Sequence, residues 1–465
     1  MTVFKSNLTD LFRKPGAAWN ELAENDTHPL PGFLKQDAYT PLGTEPLPYH
    51  RYTSPEFHKL EVERMWPNVW QFAAREEELP APGSTVVYDN AGRSYLLIRQ
   101  ADNSVKAFHN VCLHRGRKLR LENGTVSQLR CPYHGFTWKT DGALKEIPCK
   151  WDFQHLEGQD LSLPQAQVGQ WGGYIFIKEN PGGPTLEEFL APLPEQFRRW
   201  KHEERYTAVW VGRVVRANWK ATAEAFMESF HVIATHPQIL PFTGDTISKY
   251  YMWGDNISLH VTPFGVTSSH MAGDHDQQWV IDNFIKYNGR VAAGLGKVEV
   301  PQGETARQTM GRINRARFGA MFGEDLSQVS DSEVQDAFTY NVFPNFAPWG
   351  GFAPNVVYRW RPWPDQDHCL MEVRLLHRAP AGTPRPPCPP MRLLGPDEPW
   401  TSVEEFSALG AVLEQDMGNL PYVQQGMKVS KTGAAHLANY QEVRVRHLHQ
   451  TLDKYLGLAP ATGKK

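Results

Sequence analysis

Cys112-Leu-His114 and, after sixteen intervening residues, Cys131-Pro-Tyr-His134 offer two thiols and two imidazoles from two short stretches. Such a set can hold a tetrahedral zinc, or an iron–sulfur cluster in which one iron takes both cysteines and the other both histidines. Zinc fingers usually supply their cysteines as one pair and their histidines as another. Here each stretch carries one of each, which suits a dinuclear centre whose two irons need different ligands. Imidazole in place of two thiolates removes negative charge and raises the potential of such a cluster. The remaining cysteines, Cys149, Cys369 and Cys388, read as small apolar residues, and Gly116 and Gly135 as turn formers.

A second set lies at residues 218–237, Asn-Trp-Lys-Ala-Thr-Ala-Glu-Ala-Phe-Met-Glu-Ser-Phe-His-Val-Ile-Ala-Thr-His-Pro. A helix from Ala221 to His231 would put Glu224, Glu228 and His231 at i, i+4 and i+7, on one face. His236 falls about 140° further round an ideal helix, so both imidazoles reach one metal only if the helix widens or ends between them. Thr235 and Pro237 supply an ending.

With both Cys-His pairs intact inside Asn110-Val-Cys-Leu-His-Arg-Gly116 and Cys131-Pro-Tyr-His-Gly-Phe-Thr-Trp138, the sequence resembles the Rieske non-heme iron ring-hydroxylating oxygenases. Residues 218–237 look like the N-W-K…E-x-[YF]-H-x4-H segment that follows the Rieske domain in their α (large, catalytic) subunits. The resemblance implies a [2Fe–2S] cluster on Cys112, His114, Cys131 and His134, and a mononuclear Fe(II) on His231, His236 and a carboxylate of a C-terminal helix. The stretch Glu414-Gln-Asp-Met-Gly-Asn-Leu-Pro-Tyr-Val-Gln-Gln-Gly-Met427 resembles that region, with Asp416 preferred to Glu414 as ligand and Gln424 and Gly426 following. Glu228 matches an acid that joins a mononuclear-iron histidine to a Rieske histidine of the neighbouring subunit, here His231 to His134. Many family members carry Asp there.

The same resemblance implies a terminal oxygenase fed by an NAD(P)H-dependent flavin reductase, with or without a ferredoxin, and assembled as an α3 trimer or as α3β3 with a small β subunit. It would use O₂ to cis-dihydroxylate or monooxygenate an aromatic or other hydrophobic compound. Oxidative O- or N-demethylation is the alternative within the family, and a Rieske electron-transfer or zinc-stabilised binding protein the alternative outside it. Phe226, Met227 and Phe230, with Phe242, Trp349 and Phe352 from a neighbouring loop and sheet, are the expected apolar pocket.

The elements around these residues change character along the chain. Thr85–Tyr88, Ser94–Arg99, Ala107–Phe108 and Tyr174–Lys178 are short β-prone runs between turn signals, and Ser54 caps a lead-in helix. Beyond Gly182-Gly183-Pro184 come longer elements: a strand from Val209 to Arg216, strands at Val356–Arg361 and Cys369–Leu376, a Pro-rich loop at 380–399, and capping boxes at Thr401 and Ser402 opening a helix. The expected fold is α+β: an N-terminal Rieske all-β domain (46–180), then a helix-grip (START/Bet v 1-like) catalytic domain (181–465), with residues 1–45 packing on the latter.

With 48 basic and 51 acidic side chains in 465 residues, the net charge of −3 gives no global field to attract nucleic acid or anionic membrane. Five cysteines are too few for a secreted disulfide scaffold, and no long apolar run exists, so a cytoplasmic protein is expected. No G-x-G-x-x-G follows a strand, Gly294-Leu-Gly-Lys-Val-Glu299 being the nearest stretch, so electrons are expected from another protein. With so small a net charge, electrostatic docking of that protein would rely on a local patch, for which Arg115, Arg117, Lys118 and Arg120 are the candidates.

Overall fold

The computed structural model describes residues 17–459, which divide into two compact units. One comprises Lys59–Phe189; the other joins Leu190 onward to the chain before residue 59. Residues 46–58, grouped with the Rieske domain from sequence, thus fall with the catalytic unit. The expectation for residues 1–16 lies outside the described residues. The described part of the N-terminal segment does join the catalytic unit: Trp19 is buried under Lys249 Nζ, and Tyr251 donates to Leu34 O.

In the smaller unit an antiparallel sheet runs in the order Gln71–Arg75, Tyr174–Lys178, Gln165–Trp171, Val105–His109, Arg93–Arg99, Ser84–Asn90, Gly124–Thr125. Side chains alternate across a strand, and both faces of this sheet are covered. Tyr95, Leu97 and Ala107 join Val86, Ile175 and Ile177 in one core. Leu96, Ile98 and Phe108 face the other way, into a core that contains Cys112, Cys131, Phe136 and Trp138. A second, three-stranded sheet (Leu129–Arg130, Thr137–Trp138, Leu144–Glu146) closes that side. Sequence reading found four of these strands but not Gln71–Arg75 or Gln165–Trp171, which lack a simple alternation.

The larger unit is mixed. A sheet ordered Ala347–Pro348, Asn355–Pro362, Cys369–Arg378, Arg205–Val215, Arg392–Leu393 is linked through bridges at Thr339–Trp349 and Val342–Phe346 to the strands Ala337–Val342, Ile257–Thr262 and Lys249–Trp253. The helix Ala408–Val429 packs on Arg205–Val215 and on the short helix Trp219–Glu224; Val443–Leu456 packs on Lys249–Trp253 and Ile257–Thr262. Two local expectations are corrected. The helix expected to run from Ala221 to His231 stops at Glu224, and the capping boxes at Thr401 and Ser402 fall in two 3₁₀ turns, the long helix starting only at Ala408. Among the described residues no helix is long and apolar enough to cross a membrane.

Candidate metal centres and active site

The two Cys-His stretches fold as a matched pair of loops. Cys112 N donates to Arg117 O and Gly116 N to Cys112 O; Cys131 N donates to Phe136 O and Gly135 N to Cys131 O. Each loop turns at its glycine, with φ of +74° at Gly116 and +82° at Gly135, a region that disfavours any Cβ. The cysteines lie inside, on the core described above, while His134 is exposed and the ring centroids of His114 and His134 are 4.6 Å apart. His114 stacks on Phe136 at 4.8 Å, and its buried Nδ1 has no hydrogen-bond partner. Burial pushes the Cys112 thiol pKa up, and Cys131 beside it adds to the rise. Two adjacent thiols, two adjacent imidazoles and an orphaned ring nitrogen fit a dinuclear cluster that removes the thiol protons and takes the Nδ1 lone pair.

In the larger unit Asn218 starts the short helix: its side chain accepts from Lys220 N and donates to Tyr52 O and Gln366 O, while its own N–H donates to Gln424 Oε1. After Glu224 the chain turns irregularly through residues 225–230 and resumes a four-residue helix, Val232–Thr235, with His231 and His236 as its two caps. This resolves the five-residue spacing: both imidazoles sit at helix ends, where rings can turn toward one point.

Each ring is fixed through Nδ1. His231 Nδ1 lies 2.7 Å from Glu228 Oε1, and His231 N donates to Glu228 Oε2; His236 Nδ1 lies 2.8 Å from Gln415 Oε1, which Gln238 Nε2 also donates to. Both Nε2 atoms then face Asp416 Oδ1, at 3.6 Å from His231 and 3.1 Å from His236. One ligand atom from each of the three residues lies within 4.8 Å of the others, and Asp416 is 5% exposed. Burial works against charge on His231, yet the hydrogen bond and charge of Glu228, with Asp416, raise its pKa to about 9. Positive charge is therefore favoured where the rings meet Asp416, and a divalent cation supplies it by taking the lone pair a proton would otherwise occupy.

Glu414, two residues from Asp416, points elsewhere: its Oε2 accepts from Trp400 N and Arg213 Nη1. Gln424 is buried between Asn218 and Asp367, and Gly426 has open space around it. Sequence reasoning missed Gln415; its signal was that a second ligating imidazole needs an Nδ1 partner as the first does.

The expected pocket residues separate. Phe226 lies 4.6 Å from Tyr358 and 5.8 Å from Trp360, and Trp349 is 6.4 Å from Tyr358. Burial and then the charge of Asp416 push the Tyr358 pKa up, which places these rings near the candidate metal site. Met227 is buried, with its carbonyl accepting from Arg444 Nη1, and Phe242 packs against Phe264 and Phe284. Phe230 is 46% exposed, and Phe352 lies under Arg199. Tyr358 and Trp360 were not singled out from sequence.

Known proteins carry the same two domains. Residues 69–157 match the Rieske [2Fe-2S] domain, and residues 197–458 the ring hydroxylating alpha subunit (catalytic domain). The chain is 34% identical over 201 residues to the glycine betaine monooxygenase oxygenase subunit of Pseudomonas aeruginosa, covering 42% of this chain and 45% of that protein. It is 28% identical over 212 residues to the chloroplastic choline monooxygenase of Spinacia oleracea, covering 44% and 47%. These matches span about half the length of those relatives. Among solved structures, a quaternary ammonium Rieske monooxygenase in complex with L-carnitine aligns with a TM-score of 0.60 at 17% identity, over 88% of this chain and 95% of that one. Naphthalene 1,2-dioxygenase with indole bound aligns at 0.63 and 17%, over 91% and 94%. At such identity the likeness is one of fold. The family match covers more than half of the chain: the protein belongs to the ring-hydroxylating oxygenase α subunits, with a Rieske [2Fe–2S] domain followed by a mononuclear-iron catalytic domain.

Proposed function

We propose that this protein is the terminal oxygenase of a Rieske system and that its substrate carries a quaternary ammonium group. The observation that carries the first part is the convergence of the His231 and His236 Nε2 atoms on Asp416, with Glu228 and Gln415 holding the far side of each ring. When bound, the iron supplies O₂ activation, with electrons delivered through the cluster from a reductase or ferredoxin. The protein's own share is positional. Glu228 and Gln415 fix both tautomers, presenting Nε2 lone pairs inward, and Asp416 supplies one carboxylate while the rest of the site is left open. Tyr358, Phe226, Trp360 and Trp349 furnish ring faces, which bind either an aromatic compound or a trimethylammonium group by cation–π attraction. The glycine betaine and choline monooxygenases among the relatives favour the cation over the aromatic substrate expected from sequence.

The test is a product assay with holoenzyme, O₂ and a surrogate reductase. Glycine betaine, choline and carnitine are expected to give oxidation products and consume O₂ in proportion. Turnover of naphthalene or indole with none of the ammonium compounds would overturn the substrate reading and leave the oxygenase reading standing.

Glu228 is the proposed link between His231 and His134 of a neighbouring subunit in a trimer. Glu228→Gln keeps an acceptor for the His231 Nδ1–H but loses the charge. The variant is expected to retain both metals and to reoxidise its reduced cluster at least about tenfold more slowly in a single turnover. An unchanged rate would refute the link.

A further inference from the structure

Glu224 closes the helix Trp219–Glu224, and the irregular stretch 225–230 after it carries Glu228 and leads into His231. Two side chains from distant parts of the chain hold its carboxylate. The Tyr52 hydroxyl lies 2.9 Å from Oε2 and 3.0 Å from Oε1, and His449 Nε2 lies 2.8 Å from Oε1. The proton on His449 is placed by what lies behind it. Arginine has donors only, so Arg51 Nη1, 3.3 Å from His449 Nδ1, makes that nitrogen the acceptor and leaves the ring proton on Nε2, facing Glu224. Arg51 is held in turn by Asp453, one helical turn beyond His449. Burial lowers the His449 pKa, and Arg51 and Lys220 act in the same direction against the pull of Glu224, so the ring is neutral at neutral pH. Arg51, Tyr52, His449 and Asp453 are all buried, where loss of one partner leaves the others without the bonds that water would supply.

A stretch without a regular backbone ladder takes its place from side-chain anchors. Met227 N donates to Glu224 O; beyond it, Met227 O accepts from Arg444 Nη1 and the Ser229 hydroxyl donates to Asp245 O. Arg444 and His449 lie on one helix, Val443–Leu456, which therefore grips the stretch at two points, Glu224 and Met227. Little chain separates those points from the metal ligand. Glu228 follows Met227 directly, and its two carboxylate oxygens hold the ring Nδ1 and the backbone N–H of His231. A displacement at Glu224 is thus passed to the imidazole whose Nε2 faces Asp416.

We propose that His449 is a positioning residue for the mononuclear iron: with Tyr52 it fixes the Glu224 carboxylate through its Nε2–H, and so sets where Glu228 and His231 stand. The inference rests on His231 as a metal ligand and goes beyond that reading by tying the ligand to the C-terminal helix.

The test is the rate at which anaerobic holoenzyme gives up its mononuclear Fe(II) to ferrozine, read as the coloured chelate, with the cluster absorption of the same sample reporting intact protein. His449→Gln sets an amide N–H₂ near the position of Nε2, whereas the shorter arm of His449→Asn leaves its donor near Nδ1, out of reach of Glu224. The Asn variant is expected to lose iron at least about tenfold faster than wild type, and the Gln variant to stay within about threefold of it. Tyr52→Phe removes the other donor with little change of shape and is expected to lose iron about threefold faster or more; it decides the matter if His449→Asn does not fold. Wild-type iron retention in a folded His449→Asn protein, or in Tyr52→Phe where the Asn variant does not fold, would overturn the inference. Equal acceleration in the Asn and Gln variants would overturn it too, in favour of a packing role for the ring. A wild type that binds no mononuclear iron would overturn the ligand reading and the inference together.

Discussion

Asp416→Ala is expected to lose its mononuclear iron and all oxygenase turnover while its cluster spectrum stays that of the wild type. The carboxylate is one of the three side chains proposed to hold the metal, His231, His236 and Asp416, and supplies their only negative charge. Removing the ligand itself leaves two imidazoles, whose Nε2 atoms then face a void instead of Asp416 Oδ1. The four cluster residues belong to the other compact unit, so their spectrum reports on folding independently of the lost iron. Glu414→Gln is the matched control. Its carboxylate serves Trp400 N and Arg213, and the variant is expected to keep its iron. Iron per subunit and visible absorption, measured on the same preparations, decide both outcomes. Full iron occupancy with normal turnover in Asp416→Ala would refute the ligand assignment.

This contrast marks how far the sequence could be read. Choosing Asp416 over Glu414 was a matter of resemblance, because two acids two residues apart on a helix differ in nothing but the direction they face. Direction is set by Trp400 and Arg213, one from a 3₁₀ turn and one from a distant strand, and no local pattern announces either. The proposed cluster residues stood out in the sequence because their pattern is local: each loop closes on itself through bonds between residues four and five apart. The histidine pair could be read as a candidate metal site only with a broken helix, and the break comes earlier than expected. Pro237 and Thr235 suggested an ending after His231, whereas the helix stops at Glu224 and a separate turn begins at His231. Gln415, Tyr358 and Trp360 were out of reach, since each meets its partner, His236 or Phe226, from a distant part of the chain.

The fold shows the same division. Val86, Tyr88, Tyr95 and Leu97 follow the period-two alternation and were found; Gln71–Arg75 is buried on both faces and carries glutamine and arginine at its ends, so no alternation exists to find. Thr401 and Ser402 offered correct capping-box spacing, but Pro399 and the burial of Trp400 hold that stretch in 3₁₀ turns. Tertiary packing decided against the local signal there.

A second large effect is expected at Glu372, and it concerns the sheet that carries the aromatic faces. On strand Asn355–Pro362, Tyr358 and Trp360 alternate with Arg359 and Arg361, and alternation sends the two pairs to opposite faces. Arg359 lies directly across from Glu372 on the neighbouring strand. Glu372, 1% exposed, accepts from Arg359 Nε and Nη2, Arg361 Nη2 and Trp210 Nε1. Burial alone would raise its pKa, but Arg359, Arg361 and Arg374 hold the carboxyl well below the usual range. Glu372→Gln removes the negative charge these guanidiniums surround and turns an amide N–H₂ toward their donors. Breaking a buried ion pair from one side costs about 3 to 5 kcal/mol, and that loss is expected in the unfolding of the catalytic unit. The sign with pH follows from the depressed value. The wild-type advantage is complete above the unfolded carboxylate pKa of about 4.3 and shrinks as pH falls below it toward the folded value. Urea unfolding of both proteins at neutral pH and in mild acid, followed by tryptophan fluorescence, should therefore show a wide gap that narrows in acid. A variant within about 0.5 kcal/mol of wild type at neutral pH would mean that the guanidiniums are balanced without Glu372. Tyr358 and Trp360 would then owe their placement to packing on Phe226 and Trp349 rather than to the ion cluster behind them.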